Sequence, residues 1–268
     1  VGGLGTIGRG ICRGLLRAGA TVIANSPDPE NLRRLRERFD DVENLITVHG
    51  TFQLDKGSKW ALLEKAMARP ELQGRQLQHV VAHNSVRWWA TETIGGATDE
   101  TTKTGRVTLD DKAVPLMQMG PTFFAYHASR LPALHHAAAR GLLPLLQNAD
   151  GASYIFVNGG SGRNRSPMDQ VNTHSIWGLA EALRQELRSS PVRVEELRVS
   201  LEFNRLQKER ELDPRPSPLS HDIGDICAGI AANAKGWAQH PDHHPMANNS
   251  DILMLKAQYP TEPIYDID

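Results

Sequence analysis

The chain opens Val1-Gly2-Gly3-Leu4-Gly5-Thr6-Ile7-Gly8, and the reading of this stretch decides the fold. Gly3, Gly5 and Gly8 satisfy the spacing Gly-x-Gly-x-x-Gly. Val1 reads as the last residue of a first strand, and residues 6–18 set Ile7, Ile11, Leu15 and Leu16 on one helical stripe. The glycines therefore fall at a strand-to-helix turn, the context in which this spacing marks a dinucleotide-binding unit rather than a bare tight turn. Gly5 lets the backbone approach a pyrophosphate. The helix start at Thr6 and Ile7 offers free N–H groups and a partial positive charge. Gly8 permits close packing of helix on strand.

Outward from that turn, short β-rich runs alternate with longer helical ones, which predicts a parallel sheet covered on both faces. Strands are expected at 21–25, 45–48, 79–82, 153–157, 192–201 and 251–256. Helices are expected at 29–39, 58–68, 123–146, 171–188 and 221–232. With the first strand this makes a Rossmann-type, doubly wound α/β sheet of about seven strands in one domain spanning 1–268. Two stretches exceed a minimal nucleotide-binding domain. Residues 86–112 carry Trp88, Trp89, Gly95 and Gly96; residues 202–220 are charged and proline-containing. Both follow strand ends, on the edge where open α/β sheets bind ligands, and are candidate walls of a substrate pocket.

The end of the second strand bears on cofactor choice. An NAD enzyme usually presents Asp or Glu there to the ribose hydroxyls; here the sequence is Ala24-Asn25-Ser26-Pro27. The uncharged Asn25 and a free Ser26 hydroxyl would tolerate a 2′-phosphate, with Arg33 or Arg34 reaching it from the next helix. Asp28 argues the other way unless Pro27 turns it into the helix cap. The expected cofactor is NADP(H), with Thr51 and Phe52 beside the adenine and Asn84 near the ribose and nicotinamide.

Bulk properties exclude other classes. Thirty basic against thirty-one acidic residues leave a formal charge of −1, which gives no reason to expect nucleic acid or an anionic membrane as partner. No apolar run approaches the roughly 20 residues that span a bilayer. Cys12 and Cys227 suggest neither a disulfide framework nor a thiolate metal site, and a reducing, cytoplasmic setting is expected. Among the eleven histidines, the densest group, His240, His243 and His244, is read as a solvated loop rather than a metal set.

Three further segments carry a resemblance. Val81-Ala82-His83-Asn84-Ser85, Val157-Asn158-Gly159-Gly160-Ser161-Gly162 and Gly178-Leu179-Ala180-Glu181-Ala182-Leu183 resemble, in turn, the Asn-Asn-Ala-Gly element, the serine-bearing strand and the helix after Tyr-x-x-x-Lys of the short-chain dehydrogenases/reductases. By that resemblance Ser161 keeps the serine position, Asp169 stands where the tyrosine belongs and Thr173 where the lysine belongs. Aligning Leu143-Pro144-Leu145 with the family's Leu-Pro signature puts Arg130 at the usual asparagine. Asp169, Arg130 and Ser161 are the implied catalytic set, with Thr173 facing the cofactor.

A carboxylate in place of the phenol changes the chemistry. In the family, tyrosine gives a proton to the alkoxide formed when hydride reaches a ketone, and lysine lowers its pKa. Hydride added to an iminium gives a neutral amine and requires no proton, while an ionised Asp169 would stabilise the cation. The combination resembles the fungal bifunctional reductase/Diels–Alderases of bridged indole-alkaloid pathways, whose Pro-Asp-Pro element is matched by Pro27-Asp28-Pro29. That resemblance implies NADPH-dependent reduction of a prenylated iminium or zwitterion, then intramolecular [4+2] closure. Trp88, Trp89 and Trp177 would be indole-stacking walls, and the substrate a small hydrophobic alkaloid precursor. The superfamily's habit implies a homo-oligomer, dimer or tetramer. The plainer alternatives are a helix-capping role for Asp169, worth about 1 kcal/mol, and a surface role for Arg130. Two other functions stay open: a redox-silent cyclase that keeps NADP as structure, and a catalytically dead NADP sensor.

Overall fold

The computed structural model describes residues 4–40, 42–50, 64–72, 74–83, 117, 120–159, 167–201, 218–233 and 243–265. The elements are α1 (Thr6–Arg17), β1 (Val22–Ser26), α2 (Pro29–Arg38), β2 (Leu45–His49), β3 (His79–Ala82), α3 (Pro121–Leu146), β4 (Ser153–Gly159), α4 (Pro167–Leu187), β5 (Arg193–Val199), α5 (Leu219–Ala232), β6 (His243–Met246) and α6 (Asn249–Gln258). Every strand pair among the described residues is parallel. β1 pairs with β2 from Val22↔Leu45 to Ser26↔His49, and β3-β4-β5-β6 form a second ladder through His79↔Ser153, Ser153↔Arg193 and Glu196↔His243.

Strands buried on both faces read as continuous apolar runs, and alternation along them sorts the side chains into two cores. Val80, Ala82, Tyr154, Phe156 and Val194 pack with Ala138, Leu142 and Leu146 of α3 and Ile176 and Ala180 of α4. Val81, Ile155, Val157, Leu197 and Val199 pack with Ile11 of α1, Ile223 and Ile226 of α5 and Ile252 and Leu255 of α6. A third cluster joins Cys12 and Leu16 of α1 to Leu32, Leu35 and Phe39 beside β1. Helices thus cover both faces, as the alternating pattern predicts.

α1 and α5 cross at unusually close range. A Cβ on Gly10 would lie 1.9 Å from Ser220 O, one on Gly14 2.2 Å from Gly224 C, and one on Gly224 1.9 Å from Gly10 O. Around the crossing, Arg13 and Arg17 reach Asp225 (3.5 and 3.6 Å), and Lys256 bridges Asp222 (2.6 Å) and Asp225 (3.3 Å).

Two expectations fail at the C-terminal end. The final strand expected at 251–256 is instead within helix α6. Ile252, Leu255 and Tyr259 are buried while Leu253 and Met254 are exposed, a three- to four-residue period. Asn248 and Asp251 close a reciprocal capping box ahead of it. The sixth described strand lies earlier, in the histidine group read as a solvated loop. In β6, His244 and Met246 point inward while His243 and Pro245 are exposed, and proline is tolerated because this strand ends the sheet. His244 is 1% exposed, and its Nε2 meets Glu195 Oε2 at 3.3 Å. His240 lies outside the described residues. α4 starts at Pro167, a turn before the expected 171, consistent with proline's preference for the first helical position. Residues 64–67 are the described helical end of the segment expected at 58–68.

Candidate cofactor and catalytic site

The N-terminus of α1, like that of α3 at Gly120 and unlike those of α2 and α6, has no side-chain cap and suits an anion. Asp28 caps α2 by accepting from Glu30 N (2.9 Å), and Asn248 caps α6. At α1 the N-cap is Gly5, with no side-chain cap and no acidic residue in the first turn. The first-turn N–H groups of Thr6, Ile7 and Gly8 are thereby left to another partner, while Arg9 N already donates to Gly5 O (3.0 Å). Gly5 has φ −67° and ψ −171°, a conformation open to any residue, so the backbone does not demand glycine there. A Cβ at Gly5 would meet nothing within 4 Å. Among the described residues the space in front of the helix is open, and its chemistry fits a phosphate group. Gly8 is buried and lines a cavity between β1 and β3. Gly3 lies outside the described residues.

At the end of β1 no carboxylate is left over among the described residues. Asp28 is engaged as the cap that Pro27 implies. Glu30 is held by Arg33 (Nε to Oε2 2.8 Å, Nη2 to Oε1 2.7 Å) and Arg34 (2.9 Å); those hydrogen bonds bring its carboxyl down to about 2. Asn25 Nδ2 donates to Gly50 O (3.1 Å). Ser26 corrects the expectation of a free hydroxyl: it is 1% exposed, and its Oγ accepts from Asp28 N (3.1 Å). Arg33 is also paired with Glu37. Its guanidinium is exposed and reaches a 2′-phosphate only by leaving these glutamates, and exposed pairs of this kind are weakly held. Thr51, Phe52 and Asn84 lie outside the described residues.

Two of the positions expected to be catalytic sit on two packed helices. Arg130 lies on α3, and Asp169 in the first turn of α4, where a helix favours negative charge. Asp169 is inside the helix, two residues past Pro167, and not the residue before it as a simple cap would be. Thr173 follows one turn later on the same stripe and is 4% exposed. Beside it, Asn172 is buried and its Oδ1 has no hydrogen-bond partner among the described residues. Ser161 lies outside the described residues.

The four tyrosines bear directly on the missing phenol. Tyr154 is fully buried against Phe156, ring centroids 4.9 Å apart, and burial raises its pKa. Tyr259 packs edge-on to His244 and Tyr265 lies past the last helix. Tyr126, 51% exposed, is one turn before Arg130 on α3.

Trp177 is not a free wall. Its Nε1 donates to Gly159 O (3.2 Å) and Asn158 Oδ1 (3.3 Å), with Arg198 over its ring at 4.1 Å and His174 at 4.3 Å. Trp88 and Trp89 lie outside the described residues. Below Trp177 is a network the sequence reading missed. Glu196, 0% exposed, accepts from Arg184 (2.9 Å), Arg198 (2.8 Å) and Asn158 (3.0 Å). The available signal was a pair of adjacent glutamates within a strand, with an arginine two residues on.

The model of a family described as NADP oxidoreductase, coenzyme F420-dependent, matches residues 1–54, which hold the glycine turn, β1 and β2. The search of curated proteins returns no match. Among solved structures, a short-chain dehydrogenase/reductase (glucose/ribitol dehydrogenase) from Brucella melitensis superposes with TM-score 0.63 at 15% identity, covering 92% of each chain. A metagenomic short-chain oxidoreductase in complex with NADP gives 0.58 at 19%, covering 90% of this chain and 91% of that one. This is the short-chain dehydrogenase/reductase fold. An NADPH-bound short-chain oxidoreductase from Pseudomonas aeruginosa, described as containing an atypical catalytic center, gives 0.53 at 20% identity, covering 79% and 73%. Among the described residues no helix is long and apolar enough to cross a membrane, and no group of His, Cys, Asp or Glu could hold a metal. Cys12 and Cys227 are buried free thiols, both pushed up to about 12 by burial, hence unreactive.

Proposed function

We propose that this chain is an NADP(H)-dependent oxidoreductase of the short-chain fold, whose hydride acceptor is a cationic iminium and whose reduced product closes by an intramolecular [4+2] reaction. The observation that carries the reading is the pair on α4: Asp169 and, one turn on, a buried neutral Thr173, where the family resemblance calls for tyrosine and lysine. Cofactor binding is supported by the uncapped, acid-free start of α1, the match over residues 1–54 and, among the described residues, the open space before Gly5 and the lack of a spare carboxylate after β1.

Bound NADPH supplies hydride. The α1 N–H groups would hold its pyrophosphate, and Thr173 would face it with a neutral hydroxyl that cannot lower a neighbouring phenol's pKa as an ammonium does. Asp169 balances the iminium charge while C–H bond formation turns that cation into a neutral amine, so no proton is drawn from the protein. Ring closure then requires neither acid nor nucleophile, only a wall that holds diene and alkene together. The relative with an atypical catalytic center makes a departure from the tyrosine–lysine pair on this fold a reasonable premise. The substrate would be a small hydrophobic alkaloid precursor, and the working assembly a dimer or tetramer.

A second reading rests on Tyr126, whose position one turn before Arg130 makes it the phenol to exclude. The test pairs NADPH oxidation with N-methyl-3,4-dihydroisoquinolinium against acetophenone. The iminium should be reduced one-for-one with NADPH and the ketone left alone. Asp169→Asn should lower kcat by on the order of 100-fold with NADPH affinity unchanged, and Tyr126→Phe should leave turnover intact. Ketone turnover that disappears in Tyr126→Phe refutes the iminium mechanism in favour of ordinary carbonyl reduction.

A further inference from the structure

Two anchors hold α4 against the sheet. Trp177 Nε1 donates to Gly159 O (3.2 Å) and Asn158 Oδ1 (3.3 Å) at the end of β4, and Arg184 donates to Val194 O (3.0 Å) and Glu196 Oε2 (2.9 Å) on β5. The anchors are joined underneath. Asn158 Nδ2 donates to Glu196 Oε1 (3.0 Å), which turns the amide oxygen toward the indole. Arg198 donates to Glu196 Oε2 (2.8 Å) and also lies over the Trp177 ring at 4.1 Å. Glu196 is 0% exposed, so these bonds form away from water, where they are stronger. Apolar side chains could replace such a buried ionic group without loss of stability; what it adds here is a fixed geometry.

With 3.6 residues per turn, Asp169, Thr173, Trp177 and Arg184 fall on one stripe of α4, and the anchors at 177 and 184 stand about 10 Å apart along its axis. Two fixed points set the rotation of the helix as well as its height over the sheet. A rotation of about 10° carries a side-chain tip about 1 Å, the helix with its side chains being about 5–6 Å in radius. A misplacement of that size costs catalysis on the order of 100-fold. We propose that Trp177 is a positioning residue: the clamp from Glu196 through Asn158 to its indole N–H holds Asp169 and Thr173 at the angle that the cofactor and the hydride acceptor require. This rests on the roles proposed for Asp169 and Thr173. An apolar side chain would cover this face without a partner, whereas the indole spends its single N–H on the last two residues of β4.

The test compares the full chain with Trp177→Phe, which keeps a ring beneath Arg198 but has no N–H, with Asn158→Leu, which removes the amide link, and with the two combined. Readouts are amide hydrogen exchange over 171–175 with and without NADPH, NADPH affinity by fluorescence titration, and turnover of N-methyl-3,4-dihydroisoquinolinium. Trp177→Phe should speed exchange over 171–175 by roughly tenfold or more while 79–82 keeps its rate. NADPH affinity should hold and kcat fall by roughly 10- to 100-fold. Asn158→Leu should act in the same direction, and the combination should do no more than the worse single change, because both cut one path. Unchanged exchange over 171–175 overturns the proposal, as do full kcat in Trp177→Phe and additive losses in the combination. Loss of the fold in Trp177→Phe makes the indole structural and overturns it too; should Asn158→Leu fail to fold, Trp177→Phe decides alone. If the parent chain reduces no iminium, the proposed chemistry fails separately, and protection by NADPH decides for the clamp. Slowed exchange over 171–175 that Trp177→Phe abolishes supports positioning; equal protection in both chains, or none in either, overturns it.

Discussion

Gly224→Ala should loosen the crossing of α1 and α5, and the size of the effect can be worked from the contact. The new methyl would sit 1.9 Å from Gly10 O, 2.6 Å from Gly10 C and 3.2 Å from Ile11 N. All three are backbone atoms, so no side chain can swing aside, and the helices must part by about 1 Å in an interior packed to near-crystalline density. Overpacking of this kind costs about 1–3 kcal/mol, and rigid opponents place it at the upper end. Alanine's helix preference returns up to about 1 kcal/mol. A net loss of about 2 kcal/mol should lower the thermal midpoint by roughly 4–8 °C in a domain of this size. Gly178→Ala is the internal control: it lies within helix α4, is exposed, and its methyl would meet nothing within 4 Å. There the helix preference acts alone, and the midpoint should rise by about 2–4 °C. Thermal unfolding followed by circular dichroism reads both. If the two variants move the midpoint in the same direction, close backbone approach is not what glycine secures at the crossing.

Three other perturbations separate ligand effects from fold effects. Gly5→Ala should change stability by less than about 1 kcal/mol, because its methyl meets no described residue within 4 Å, while NADPH affinity measured by fluorescence titration falls at least roughly tenfold; unchanged affinity would remove the phosphate from that spot. Glu196→Ala removes the buried carboxylate that Arg184, Arg198 and Asn158 share and should cost about 3–5 kcal/mol by urea unfolding; a loss under about 1 kcal/mol would show that these groups are satisfied without it. Burial, with Arg193 adding to it, lowers His79 from 6.5 to about 4. The unfolded chain therefore takes up this proton first, so stability is full above about pH 6.5 and declines as pH falls toward 4, by up to about 1.4 kcal/mol per pH unit. His79→Asn should flatten the slope between pH 6.5 and 5, and an unchanged slope would assign it to other groups.

Much of this architecture was legible because most strands are short apolar runs between clear breaks. His79–Ala82 was read at both bounds, since its neighbours are polar and its interior is not. The C-terminal end resisted for a physical reason. Ile252-Leu253-Met254-Leu255 is apolar without a visible period, and only the capping pair Asn248 and Asp251 betrays a helix. β6 is His-His-Pro-Met, with little strand propensity of its own; pairing with β5 and burial of His244 and Met246 override local preference. In the candidate site, the helix that opens at Thr6 after the glycines and the Asp28 cap were readable from the sequence. The fates of Arg33, Ser26 and Trp177 were not, because each depends on which nearby partner claims the side chain after folding.

Glu195 and Glu196 are consecutive on β5, yet their carboxylates part to opposite sides of the sheet, one to His244 and Arg193, the other to Arg184 and Arg198. A slip of β5 by one residue would exchange their positions and deliver each anion to the other's surroundings, while turning Leu197 and Val199 to the wrong core. The two charges therefore act as a lock and its counterpart for strand alignment: an insertion or deletion within 193–198 cannot be absorbed by sliding, whereas a conservative apolar exchange along the same strand can.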